Sequence, residues 1–205
     1  MEQSRSQPPD PTPMILLVLG LILFLGSHSV RIFAEDWRTA RVKAMGLNPY
    51  KGLYSLVAIV GFVLVIYGYG QARMHPVQLY DPPLWTRHLA GLLNLAAFVL
   101  LAAAYVKGNR IKAAVGHPMV LGVKVWAFAH LIANGTLADV VLFGGFLLWA
   151  ILDFRSARGR DHIAVTRLPP GSGMRDVVTV VAGVAAWALF GFWLHGAWIG
   201  VQPFG

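Results

Sequence analysis

The sequence predicts an all-α membrane protein, a polytopic bundle of about six transmembrane helices with both termini on the outer face. Three observations predict it. Hydrophobic residues make up 57% of the 205-residue chain and charged residues only 13%, with a mean hydropathy of +0.61, outside the range of soluble domains. Apolar runs of spanning length recur along the whole chain. Basic residues gather in alternate loops between those runs.

The runs occupy about residues 14–33, 52–70, 86–106, 118–134, 137–154 and 177–199, against the roughly 20 residues that a spanning helix needs. Separate segments can satisfy their backbone polar groups in lipid only as helices. The fourth run is the shortest and reaches about 25 Å at 1.5 Å per residue, so little tilt is expected of it. Asn134-Gly135 should close a tight turn before the fifth.

Orientation follows from the loops. The first carries Arg31, Arg38, Arg41, Lys43 and Lys51, the third Lys107, Arg110 and Lys112, and the fifth Arg155, Arg158, Arg160, Arg167 and Arg175. Opposite them stand only Arg5, Arg73 and Arg87. The positive-inside rule then places both termini away from the cytoplasm. The formal charge of +8 is thereby assigned to a membrane surface and its anionic lipids, and nucleic acid is not expected as a partner.

Between the first two runs, Phe33, Trp37, Ala40 and Ala44 share a helical face and predict a short surface helix. Tyr80, Trp85, Trp193 and Trp198 fall near span ends, as an aromatic belt would. Residues 1–13 are polar and proline-rich and predict a disordered tail, with Met14 a possible alternative start. Residues 14–205 then read as a single transmembrane domain. The first run lacks a small-x-small cleavage pattern and is expected to remain as a span. The chain has no cysteine, which excludes disulfides, iron–sulfur clusters and thiolate chemistry.

His28 and His130 are the residues that point to chemistry. Each sits inside an apolar run, where an ionisable group costs roughly 2.5–3.5 kcal/mol on insertion scales and commonly serves a partner or cofactor. A metal or haem clamp between two spans is the first reading, and a neutral imidazole bonded across helices is the plain alternative. By helical rise, His28 lies some 8 Å below the cytoplasmic surface and His130 roughly 17 Å.

His117 competes as a ligand, although Gly116-His117-Pro118 reads first as helix-entry punctuation. His75, His88, His162 and His195 fall in loops or at interfaces and are not expected as ligands. Arg31 and Lys124 could meet the propionates of a cofactor, Arg31 from the His28 face and Lys124 two turns beyond His117. Trp126 and Asn134 each lie one turn from His130 and could orient it. Asp139 and Asn94 are further embedded polar groups with no partner legible in the sequence.

Several motifs carry a family resemblance. They are His28-Ser-Val-Arg31, Leu53-Tyr-Ser-Leu-Val57, Gly68-Tyr-Gly-Gln-Ala-Arg73, Gly116-His-Pro-Met119, Val123-Lys-Val-Trp-Ala-Phe-Ala-His-Leu-Ile-Ala-Asn-Gly135, Leu142-Phe-Gly-Gly-Phe146 and Asp153-Phe-Arg-Ser-Ala-Arg158. Together they resemble the NnrU family of bacterial membrane proteins over nearly the whole chain. The resemblance implies the bacterial inner membrane and a link to denitrification and nitric oxide metabolism. The related plant 15-cis-zeta-carotene isomerase implies haem b, with its iron held at the positions of His28 and His130. That enzyme has a cysteine three residues before its second ligand. Here the position is Ala127, so a thiolate cannot exchange onto iron.

Three functions are then open. A b-type haem protein of the bilayer would carry redox or isomerase-type chemistry, with nitric oxide or a hydrophobic small molecule such as a polyene as partner. A membrane S-adenosylmethionine-dependent methyltransferase is suggested by Gly116-His-Pro-Met119, but the arginine and paired glutamates of that group are missing. A non-catalytic accessory protein of a respiratory complex would use the same histidines as bridges between helices.

Overall fold

A computed structural model describes residues 10–164 and 171–204. The expectations placed on residues 1–9 of the tail and on Arg167 lie outside the described residues. Helix α1 runs over Thr12–Phe33, α2 over Glu35–Met45, α3 over Leu47–Ala72, α4 over Leu84–Tyr105, α5 over Arg110–Val115, α6 over Pro118–Ala133 and α7 over Leu137–Ala164. Helix α8 covers Gly173–Leu189 and continues through a π-helical turn, Phe190–Leu194, into α9, His195–Ile199. The all-helical bundle expected from composition is what forms.

Among the described residues, five helices are long and apolar enough to cross a membrane: α1, α3, α4, α7 and the continuous stretch Gly173–Ile199. The fourth apolar run forms the shorter α6, with 16 residues, about 24 Å of rise. Helix α2 is the surface helix foreseen between the first two runs, and none of its residues is buried. Helix α5 breaks a loop in which no helix was expected. The chain is a multi-pass membrane protein, and exposed leucine, isoleucine and valine along α1 and α3 present the surface that lipid requires.

Contacts gather the chain into two compact units, Met1–Leu79 with Thr136–Leu142, and Tyr80–Gly135 with Phe143–Gly205. In the first, α1 packs on α3 through glycine. A Cβ on Gly20 would stand 2.6 Å from the backbone nitrogen of Val65, and one on Gly61 2.6 Å from that of Phe24. One on Gly68 would collide with the backbone of Leu17, whose side chain is fully buried. Lipid supplies no hydrophobic drive between helices, so such backbone approach is the source of their association. Gly46 joins α2 to α3 at φ 86°, in the left-handed region.

In the second unit α4 is the centre. Gly183 brings α8 against the backbone of Val99, and Gly122 brings α6 to the carbonyl of Ala97, 3.1 Å from its would-be Cβ. The indole of Trp187 donates to the Gly91 carbonyl at 3.1 Å, tying α8 to α4 a second time. Gly116, at φ 75°, turns the chain from α5 into α6, with His117 as N-cap and Pro118 in the first turn. The punctuation read from Gly-His-Pro is therefore realised.

The connection at Asn134-Gly135 is as tight as expected, with three residues between α6 and α7, and it is not built on a left-handed glycine. Gly135 is not among the positive-φ glycines, and Asn134 is extended, at φ −132° and ψ 131°. The incoming segment after α3 takes up the polar groups instead. Leu137 N–H donates to the Val77 carbonyl at 2.8 Å, and Tyr80 N–H to that of Gly135 at 3.2 Å. An antiparallel bridge between Gln78 and Thr136 completes the connection.

The glycine seam gives a matched pair of substitutions. Gly68→Leu drives a side chain into the α1 backbone and should destabilise the protein by about 3 kcal/mol. Gly70, with open space around its Cβ position, should accept leucine at no loss. Thermal unfolding of the two variants in detergent checks both outcomes.

Candidate functional site

His28 lies in the last two turns of α1, in the first unit. Its Nδ1 is 2.7 Å from the carbonyl of Phe24, one turn back, and the Ser27 hydroxyl donates to that carbonyl at 2.8 Å. The Phe24 ring lies 4.4 Å from the imidazole and the Tyr54 ring meets it edge-on at 5.3 Å. A carbonyl oxygen can only accept, so Nδ1 carries the proton and the neutral ring has its lone pair on Nε2.

His130 lies in the last turn of α6, in the second unit, and repeats the arrangement. Its Nδ1 is 2.9 Å from the carbonyl of Trp126, again one turn back. The ring stacks on Phe143 at 4.6 Å and meets the Trp126 ring at 5.1 Å. The Asn134 amide donates to the His130 carbonyl at 2.8 Å. The Trp126 carbonyl thus meets the imidazole, while the Asn134 side chain caps the backbone of the same helical turn. Tyr80 closes the helix end, its hydroxyl donating to the carbonyls of Leu131 and Asn134.

His130, Trp126 and Asn134 also line a cavity of about 400 Å³ within the second unit, a volume in the range of small-molecule sites. Its other walls come from α4 (Asn94, Phe98) and from the π-helical turn (Phe190, Gly191). His195 lines it as well. The sequence placed that residue in a loop or at an interface and gave no signal that it shares a cavity with His130.

The remaining candidates are engaged elsewhere. Arg31 is mostly exposed, and its guanidinium lies 3.6 Å from the carboxylate of Glu35, a surface pair of small energetic weight. His117 Nε2 meets Asp161 at 2.8 Å. Lys124 sets its ammonium 4.8 Å from the centre of the Phe154 ring, whose edge also meets His117 at 6.3 Å. Lys124 and His117 thus share a face, as their spacing required. Among the described residues, no cluster of three or more histidines and carboxylates forms a metal site.

Family comparison now adds to this geometry. The model of the family described as NnrU protein matches residues 16–203, nearly the whole chain. The chain belongs to the NnrU family. No curated protein and no solved structure matches it. Both one-turn histidine clamps of this NnrU chain fall inside the matched region.

Asp139, partnerless in the sequence reading, has three partners. The Tyr69 hydroxyl donates to its Oδ1 at 2.6 Å, while the N–H and hydroxyl of Thr136 donate to Oδ2 at 3.0 and 2.6 Å. Its own N–H returns a bond to the Thr136 hydroxyl at 3.3 Å. This is a capping box at the start of α7, and Thr136-x-x-Asp139 was legible as one. Asp139→Ala should cost about 1–3 kcal/mol, since it removes the cap and leaves the Tyr69 hydroxyl unsatisfied. Tyr69→Phe should cost about 1 kcal/mol. Chemical denaturation in mixed micelles measures the difference.

Proposed function

We propose that this NnrU-family protein binds haem b in the bacterial inner membrane, with His28 and His130 as the axial ligands. The observation that carries the reading is the shared hold on the two imidazoles. Each gives its Nδ1 proton to the carbonyl of the residue four positions earlier. A ring so held keeps its tautomer and orientation, and a proton fixed on Nδ1 leaves Nε2 as the ligating atom. The donor set therefore suits an iron porphyrin. Both rings sit among aromatic side chains, in keeping with a low-dielectric cofactor environment.

Haem so ligated supplies one-electron redox chemistry and, where a ligand is released, a position for nitric oxide or for a polyene double bond. The protein's part is to orient the imidazoles, exclude water and present cations to the propionates. Lys124 supports the last role, since it has no carboxylate partner among the described residues. Arg31 supports it less well, because Glu35 already engages it. His117 contributes through Asp161 to the base of α6 and lies outside the ligand set. The proposed topology puts both chain ends outside the cytoplasm, as the loop charges require.

An absorption spectrum tests the proposal. Protein produced with ample haem should show a Soret band with the sharp α and β bands of a six-coordinate ferrous haem. His28→Ala and His130→Ala should each abolish or shift those bands, and His117→Ala should leave them in place. Colourless wild-type protein would contradict the reading.

A further inference from the structure

The cavity of the second unit has a polar pattern that iron ligation does not use. The Nδ1 proton of His195 is given to the Val201 carbonyl at 2.7 Å, so its lone pair on Nε2 needs a donor. Among the described residues no protein group supplies one. Asn94, on the α4 wall, spends one amide proton on the Ala90 carbonyl of its own helix at 2.8 Å. Its second proton and its oxygen have no partner among the described residues. An acceptor and an amide therefore line one chamber whose walls are mostly apolar, with Arg87, His130, Asn134 and Gln202 as its other polar side chains.

The walls define the rest of the occupant. Trp187 and Phe190 give flat aromatic surfaces, and no carboxylate among the described residues lines the space. The C-terminal residues Val201–Phe204 form one further wall. Phe204 fits there because Gly91 and Gly191 leave room: a Cβ on Gly91 would stand 2.7 Å from its ring and one on Gly191 3.0 Å. The π-helical turn at Phe190–Leu194 borders the same space, and such turns recur where a helix is shaped around a function. Arg87 stands at the margin with its side chain exposed to solvent, where its charge is screened.

We infer that this chamber binds an uncharged lipid-soluble molecule with an aromatic hydroxyl head and an apolar tail, the chemistry of an alkylphenol or a quinol. The hydroxyl donates to His195 Nε2 and accepts from the Asn94 amide. The ring lies between the aromatic walls, and the tail follows the alanine- and glycine-rich face of α4. Neutral partners inside the cavity select a neutral head, because a carboxylate would face the lone pair of His195.

The inference goes beyond the haem proposal and is tested apart from it. In lipid nanodiscs, 4-nonylphenol should quench tryptophan fluorescence saturably, with or without haem, while 4-nonylbenzoate binds at least about tenfold more weakly. Asn94→Leu and His195→Phe should each weaken 4-nonylphenol by about tenfold, the worth of one hydrogen bond. Asn94→Leu breaks only a bond within its own helix, so it decides the matter if the His195 variant does not fold. Any Soret band of the wild type should survive Asn94→Leu. Absence of saturable quenching, undiminished binding in Asn94→Leu, or stronger binding of the benzoate that is lost in Arg87→Gln would overturn the assignment. So would displacement of haem by 4-nonylphenol, which would make the chamber the porphyrin's own.

Discussion

An imidazole in the apolar part of a membrane must give its proton to something, and water is not there to take it. In this protein the nearest carbonyl on the same helix takes it, at His28 through Phe24 and at His130 through Trp126. The bond satisfies the donor and fixes the tautomer together. Everything proposed about chemistry depends on that constraint. A histidine free to rotate or to move its proton would be a poor ligand, and one bonded through Nε2 would offer Nδ1 instead.

The clamps are in turn held by close packing. In the first unit, Gly61 allows α3 to touch the backbone of Phe24, the residue whose carbonyl holds His28. In the second, Gly122 and Gly183 seat α6 and α8 on α4, and the cavity beside His130 is bounded by all three. Glycine contributes most to such contacts because dispersion between backbones is nearly all that lipid leaves available. A side chain in either seam would displace a helix and, with it, an imidazole.

Much of this was legible in the sequence, for physical reasons. A spanning run announces itself by length and apolarity, so α1 and α4 fall within two residues of their expected extents, while α3 begins five residues earlier and α7 runs ten residues further than apolarity alone marked. Helix α2 followed from the spacing of Trp37, Ala40 and Ala44, although Phe33, counted on the same face, ends α1 instead, and the entry to α6 followed from proline's fixed φ. His28 and His130 stood out because ionisable groups are expensive in an apolar run, and Trp126 and Asn134 because each lies one turn from His130. Three features were not legible: two depend on residues distant in the chain, and one has no local signal. The Tyr69–Asp139 bond spans 70 positions. The π-helical turn lies in an unbroken apolar run that carries no local signal. His195 joins the cavity only because Val201–Phe204 folds back, and that requires space at Gly91, more than 100 residues earlier.

The central claim is that two imidazoles, each with its Nδ1 proton on a carbonyl, present Nε2 to one iron. Low-temperature electron paramagnetic resonance of the ferric protein in lipid tests it most directly. The account predicts a low-spin signal characteristic of bis-histidine ligation, converted to high spin when either His28 or His130 becomes alanine. A high-spin signal in the wild type, or a low-spin signal untouched by both substitutions, would contradict it.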